Sequence, residues 1–270
     1  PDAPYRIFRD HLRNTHWITA FGDEASHDIA VSNQDQLANT FGLVLIHDPD
    51  VAKTWELRIR KKSNYDLPGV ANVSVTQNTT GGNVENTYTS DGTVTILQTT
   101  IDFWILQDKT LNLNVFINSI DNDTVIELWT PDQPRPGVGD DPNSLEFRFD
   151  SQFIETCKNF DCLRNLDFQP INRSGNANNS AVILTVADTT HFDRQSQADQ
   201  NHRASLVHFL DLCTACNADA WVCMPHSAQP SLITDWCLKI RAWRTANPGR
   251  VCYIEYSNEL WNNSFRQTHV

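Results

Sequence analysis

From about residue 41 to 150 the chain alternates apolar with polar positions, the two-residue period of strands that bury one face. Trp55, Leu57 and Ile59 alternate with polar neighbours over 54–60, and Leu111, Leu113, Val115 and Ile117 do so over 111–119. Residues 93–97, 125–129 and 145–149 supply further candidate strands. Turn signals separate them: Gly81-Gly82, Asp91-Gly92, Asp121-Asn122-Asp123 and the proline-rich loop 131–137. Many short strands at such spacing suggest a β-sandwich. The first 40 residues carry little pattern, with Trp17-Ile18 as the expected buried point.

After Cys157 the period changes. Residues 162–167 and 181–186 read as short buried strands, and Leu206, Phe209, Leu210 and Leu212 recur at helical spacing over 202–216. Residues 220–224 form another expected strand. Pro230-Ser231 opens a helix with an apolar stripe of Ile233, Trp236, Cys237, Ile240 and Trp243, and Asn247-Pro248-Gly249 closes it before a last strand at 251–256. Strands that alternate with helices imply parallel pairing through helical crossovers.

Composition narrows the partners. A formal net charge of -12 argues against nucleic acid, whose phosphates call for clustered Lys and Arg, and against an anionic membrane surface. No stretch reaches the roughly 18 apolar residues of a spanning helix. An uncharged polymer such as a polysaccharide fits this charge balance.

The sharpest chemical signal is the run Tyr253-Ile-Glu-Tyr-Ser-Asn-Glu-Leu-Trp-Asn262. Together with Trp221-Val-Cys-Met-Pro-His226 and Leu163-Arg-Asn-Leu-Asp-Phe168, it resembles a family of secreted proteins related to clan-A glycoside hydrolases. The likeness covers about residues 90–270 and is specific from about 200 onward. It implies a β-sandwich over 1–156 followed by a partial (β/α) barrel-like unit over 157–270, an α/β unit matching the first half of a barrel. It further implies that Glu259 is the general acid/base at the end of the fourth strand, with Asn258 as the amide that binds a sugar hydroxyl. Trp261 would stack on a sugar ring or pack internally. His226 is a rim contact or a satisfied polar side chain, and Arg164 and Asp167 are substrate contacts or a structural ion pair.

Asn165 and Phe168 depart from the family, which has Phe and Trp there. The clan's nucleophile lies on the seventh strand, whereas residues up to Val270 reach only the fourth. No glutamate here takes that role, and a complete barrel needs roughly 250 residues. Glu255, four residues before Glu259 on one strand, cannot supply a carboxyl pair ~5 Å across a cleft, so it is read as structural. The chain is therefore expected to be catalytically incomplete, either part of a longer hydrolase, a carbohydrate-binding relative, or a structural glycoprotein that assembles into an oligomer or filament through an unclosed sheet edge.

Seven cysteines, all from Cys157 onward, suggest disulfides in an oxidising compartment. Cys157 and Cys162 are expected to pair across a turn, with at least one further pair among Cys213, Cys216, Cys223, Cys237 and Cys252. The spacing Cys213-x2-Cys216-x6-Cys223-x2-His226 superficially suits zinc, but disulfides are the better use of these residues, and no metal or cofactor is expected. Sequons at Asn72, Asn78, Asn122, Asn172, Asn178 and Asn262 point the same way, to a secreted glycoprotein. Asn262 is the least suited to a glycan, which would crowd the proposed site.

Overall fold

The computed structural model describes residues 7–9, 16–19, 40–46, 54–61, 63–64, 67, 69, 71–79, 82–89, 97–100, 111–120, 123–129, 134, 136–137, 139–141, 143–166, 185–186, 189, 204–258 and 260–261. They fall into two compact units, the first running to Phe153 and the second beginning at Ile154.

The first unit is built from antiparallel strands. One sheet has the order β1-β2-β7-β4-β5, from β1 (His16–Thr19), β2 (Thr40–Ile46), β7 (Leu111–Ile120), β4 (Ala71–Thr79) and β5 (Gly82–Thr89). A second has the order β6-β3-β8, from β6 (Leu97–Thr100), β3 (Thr54–Lys61) and β8 (Thr124–Trp129). The expected strand at 93–97 meets the described residues only at Leu97, where β6 begins. Ile59 and Ile126 pair across β3 and β8, and both are buried. The period-two reading also leaves Arg58 and Arg60 polar and outward, yet both are buried. The proline-rich loop explains Arg58, because its Nη1 donates to the Pro136 carbonyl at 2.5 Å.

Residues 145–149 are not the expected strand. Leu145–Arg148 is a short helix, α1, that follows a turn in which the Ser144 N–H bonds the Asp141 carbonyl at 3.0 Å. Phe149 then makes one bridge to Phe8, the two rings stacked 5.8 Å apart. Helix α2 (Ser151–Cys157) follows, its first turn capped by Asp150 Oδ1, which accepts from the Gln152 and Phe153 N–H groups.

The second unit is a parallel β-α-β-α-β arrangement. Strands β9 (Cys162–Arg164), β10 (Asp219–Met224) and β11 (Cys252–Tyr256) lie in the order β11-β10-β9, with helix α3 (Leu206–Cys216) before β10 and α4 (Pro230–Ala246) after it. Local chemistry sets the helix ends. Ser205 Oγ caps α3 by accepting from Val207 N–H, and Asn217 adopts φ 54 beyond its last turn, a left-handed position that Asn tolerates. Pro230 occupies the first turn of α4, where its missing N–H costs nothing.

Both helices cover one face of the sheet. Leu206, Phe209, Leu210 and Cys213 of α3 and Leu232, Trp236, Ile240 and Trp243 of α4 pack on Ala220, Val222 and Met224. The buried row of α4 therefore runs through Leu232 and not Ile233, which is exposed together with Cys237. Spacings of four, four and three hold this row on the sheet side. Of the expected strand at 181–186 only Thr185 and Val186 are described, and Val186 sits exposed in a helical turn. Among the described residues no helix is long and apolar enough to cross a membrane.

Trp236 is the largest side chain in this layer to be almost completely enclosed. Trp236→Ala should lower the unfolding free energy of the full chain by ~3–5 kcal/mol in urea titrations. Leu238→Ser, exposed on the same helix, should change it by less than about 0.5 kcal/mol.

Candidate functional site

Because α3 and α4 occupy one face, alternate residues of the strands project on the other. The register aligns Arg164, Trp221 and Tyr253 in one row across β9, β10 and β11, and pairs Cys223 with Glu255 two residues further along. Arg164, Cys223 and Glu255 lie toward the carboxyl ends of their strands, where α/β folds collect ligands, whereas Trp221 and Tyr253 lie in the first half of theirs.

Glu255 Oε2 is the centre of this group. It accepts from Arg164 Nη2 at 2.7 Å, Arg164 Nε at 3.2 Å, Trp221 Nε1 at 2.9 Å and the Cys223 thiol at 3.2 Å. Arg164 Nη2 also donates to Asn258 Oδ1 at 3.0 Å, and the guanidinium lies 4.9 Å from the Trp221 ring centre. Asn165 extends the network, since its Oδ1 accepts from the Cys223 backbone N–H at 2.8 Å while its buried Nδ2 has no partner.

The electrostatics follow. Burial pushes the Glu255 carboxyl up, but hydrogen bonds from Arg164, Cys223 and Trp221 outweigh it and hold the group below the usual carboxylate range. Burial and the Glu255 hydrogen bond push the Cys223 thiol up to about 12. An ionised carboxylate saturated with donors is a poor proton donor near neutral pH. Glu255 is thus an anchor for its neighbours and not an acid.

The turn after β11 delivers Asn258 to the network. Ser257 takes φ 62, a costly conformation for a residue with a Cβ, and its N–H donates to the Met224 carbonyl at 2.6 Å. Ser257 and Asn258 are both almost completely buried, and the Ser257 Oγ has no hydrogen-bond partner. This strained step redirects the chain from strand geometry so that the Asn258 amide reaches Arg164.

Of the residues expected from the sequence, the structure brings Arg164 and Asn258 together. His226 lies half-buried in the turn after β10, and Trp261 is 77% exposed. Glu259 and Asp167 lie outside the described residues, as do Asn122, Asn172, Asn178 and Asn262. Asn72 and Asn78 lie near the two ends of β4, each within register positions shared with β5 and β7. Cys157 and Cys162 both carry free thiols, as do the other five cysteines. Among the described residues no group of His, Cys, Asp or Glu is arranged to hold a metal ion. Cys223, part of the zinc-like spacing, instead faces Glu255.

Sequence reasoning missed the central position of Glu255 and the parts played by Trp221, Cys223 and Ser257. One signal was available: the two-residue period of the strands puts Arg164 on one face with Trp221, Cys223 and Glu255, where long polar side chains meet.

Two outcomes follow. A glutamate whose folded pKa is depressed contributes stability above its unfolded pKa, and that contribution is lost as pH falls through the folded value. Denaturation curves from pH 7 to 3 should therefore show the native chain losing more stability than Glu255→Gln, with the two converging in acid. Ser257→Gly should be close to neutral, because strain relief offsets backbone entropy, whereas Ser257→Val should cost about 2 kcal/mol.

No family model matches the chain. No curated protein matches it either. Among solved structures, a family two carbohydrate esterase from Cellvibrio japonicus is similar over 93% of this chain and 91% of that one, at 11% identity and a TM-score of 0.24. A likeness of that degree says nothing about the fold or activity of this chain.

Proposed function

We propose that the chain is a secreted glycoprotein that recognises carbohydrate on the face of β9, β10 and β11 opposite the helices, in a β-sandwich plus partial (β/α) barrel architecture. One observation carries this reading: Arg164, Trp221 and Tyr253 form a row beside Glu255 and Asn258, with Trp221 40% and Tyr253 51% exposed. Sugars present C–H faces that lie against aromatic rings and hydroxyls that pair with planar polar groups. This row offers both, and the acidic chain suits an uncharged polymer.

The resemblance to clan-A glycoside hydrolases adds a role for Glu259 as acid/base, with Asn258, Trp261, His226, Arg164 and Asp167 as substrate contacts. The sequons support an extracellular setting. Tryptophan fluorescence titrated with soluble gluco-, xylo- and manno-oligosaccharides tests the reading. At least one sugar should bind, and Trp221→Ala should weaken it tenfold or more, about 1.4 kcal/mol, while Leu238→Ser leaves it unchanged. Binding that survives Trp221→Ala, or no binding by any sugar, would contradict it. Glycosidase turnover that vanishes in Glu259→Gln would extend recognition to catalysis.

A second reading, assembly of copies through the edge of the sheet, is favoured by the exposure of Ile254 and Tyr256 on β11, one of the two outer strands of the described sheet. It predicts a concentration-dependent mass in sedimentation that Ile254→Lys abolishes.

A further inference from the structure

An arginine beside exposed aromatic rings ordinarily suits an anion, because its N–H fork matches a carboxylate or sulfate with two parallel bonds. Arg164 turns that fork inward. Its Nε and Nη2 both donate to Glu255 Oε2, at 3.2 Å and 2.7 Å, and Nη2 donates again to Asn258 Oδ1 at 3.0 Å. Among the described residues Nη1 has no hydrogen-bond partner, in a side chain 30% exposed.

Glu255 is used just as unevenly. Oε2 accepts from Arg164, Trp221 and Cys223, whereas Oε1 accepts from none of the described residues, in a side chain 28% exposed. The carboxyl, held below the usual range, is ionised at neutral pH. The pair therefore offers solvent one donor, Arg164 Nη1, and one acceptor, Glu255 Oε1, with no net charge. The two atoms belong to groups joined at 2.7 Å, and the guanidinium lies 4.9 Å from the centre of the half-exposed Trp221 ring.

We propose, resting on the carbohydrate reading of this face, that Arg164 Nη1 and Glu255 Oε1 together bind two neighbouring hydroxyl groups of an uncharged sugar ring, and that Glu255 excludes anionic sugars. A hydroxyl both donates and accepts. One hydroxyl accepts from Nη1, and its neighbour on the ring donates to Oε1. A vicinal diol has the polarity for both bonds. The ring's C–H face then lies toward Trp221.

An anionic substituent fails on both counts. A carboxylate or sulfate supplies acceptors only, so it reaches Nη1 alone and leaves Oε1 without a donor. It also meets the Glu255 carboxylate as a like charge, which disfavours it. Glu255 is thus the specificity-determining residue. While it holds Arg164, the site is neutral. When its charge is removed, the buried side of the guanidinium is left uncompensated, and Arg164 becomes a site for anions.

Xylotriose, cellotriose and mannotriose test this by calorimetry with the full chain at fixed ionic strength. Each is used as the parent sugar, methylated on O2 and O3, and sulfated on O2 and O3. The methylated form keeps its ring faces but cannot donate from those oxygens. For the sugar that binds best, the parent should bind about tenfold or more tighter than either derivative. In Glu255→Gln the parent should weaken by a similar factor, while the sulfated form binds about tenfold tighter than it does to the unsubstituted chain. That gain is a result misfolding cannot produce. If a derivative binds the unsubstituted chain as tightly as its parent, or Glu255→Gln gives no gain for the sulfated form, the proposal fails and the carbohydrate reading stands. If no form of any sugar binds, or binding survives Trp221→Ala, the carbohydrate reading fails and takes this proposal with it.

Discussion

One carboxylate oxygen holds the functional end of the second unit together. Glu255 Oε2 on β11 accepts from Arg164 on β9 and from Trp221 and Cys223 on β10. It ties all three described parallel strands at the end where no hairpin joins them. Parallel strands need long crossovers, so their carboxyl ends are fixed only by what their side chains do. Arg164 carries the connection onward to Asn258, and the strained Ser257 places Asn258 within reach. Without this centre the row of exposed aromatic and polar groups would lack a fixed geometry.

The same arrangement divides the sheet into two chemistries. One face is filled by Trp236, Leu232, Phe209 and their neighbours, and there the free energy is hydrophobic. The other face presents Trp221 and Tyr253 to solvent, with a charged pair about 70% buried beneath them. In that partly desolvated setting the Arg164–Glu255 bonds are stronger than they would be in water, and removing one partner would leave the other uncompensated. The pair is therefore better suited to holding a recognition surface than to transferring protons, which on the proposed reading is left to Glu259.

Periodicity made the helices and parallel strands of the second unit legible, because a long stripe such as Trp236, Ile240 and Trp243 admits one reading. It erred where burial was decided by distant chain. The 145–149 run alternates like a strand, yet the turn anchored at Asp141 starts a helix there. Arg58 looks outward until the proline-rich loop covers it. Among the site residues, Arg164 and Asn258 were visible through resemblance. Glu255 was read as structural, and its central position was hidden because its partners lie 32 to 91 residues away in sequence.

The central claim is that the Glu255-anchored row is a carbohydrate-binding surface. Its most direct measurement is the nitrogen–proton NMR signal of the Trp221 indole, assigned by its loss in Trp221→Phe, during titration with the oligosaccharide that binds best. The account predicts a saturable shift of that signal, and loss of the shift in Glu255→Gln with the Trp236 indole signal unchanged. A sugar that binds saturably while the Trp221 indole stays still would place recognition elsewhere and contradict the account.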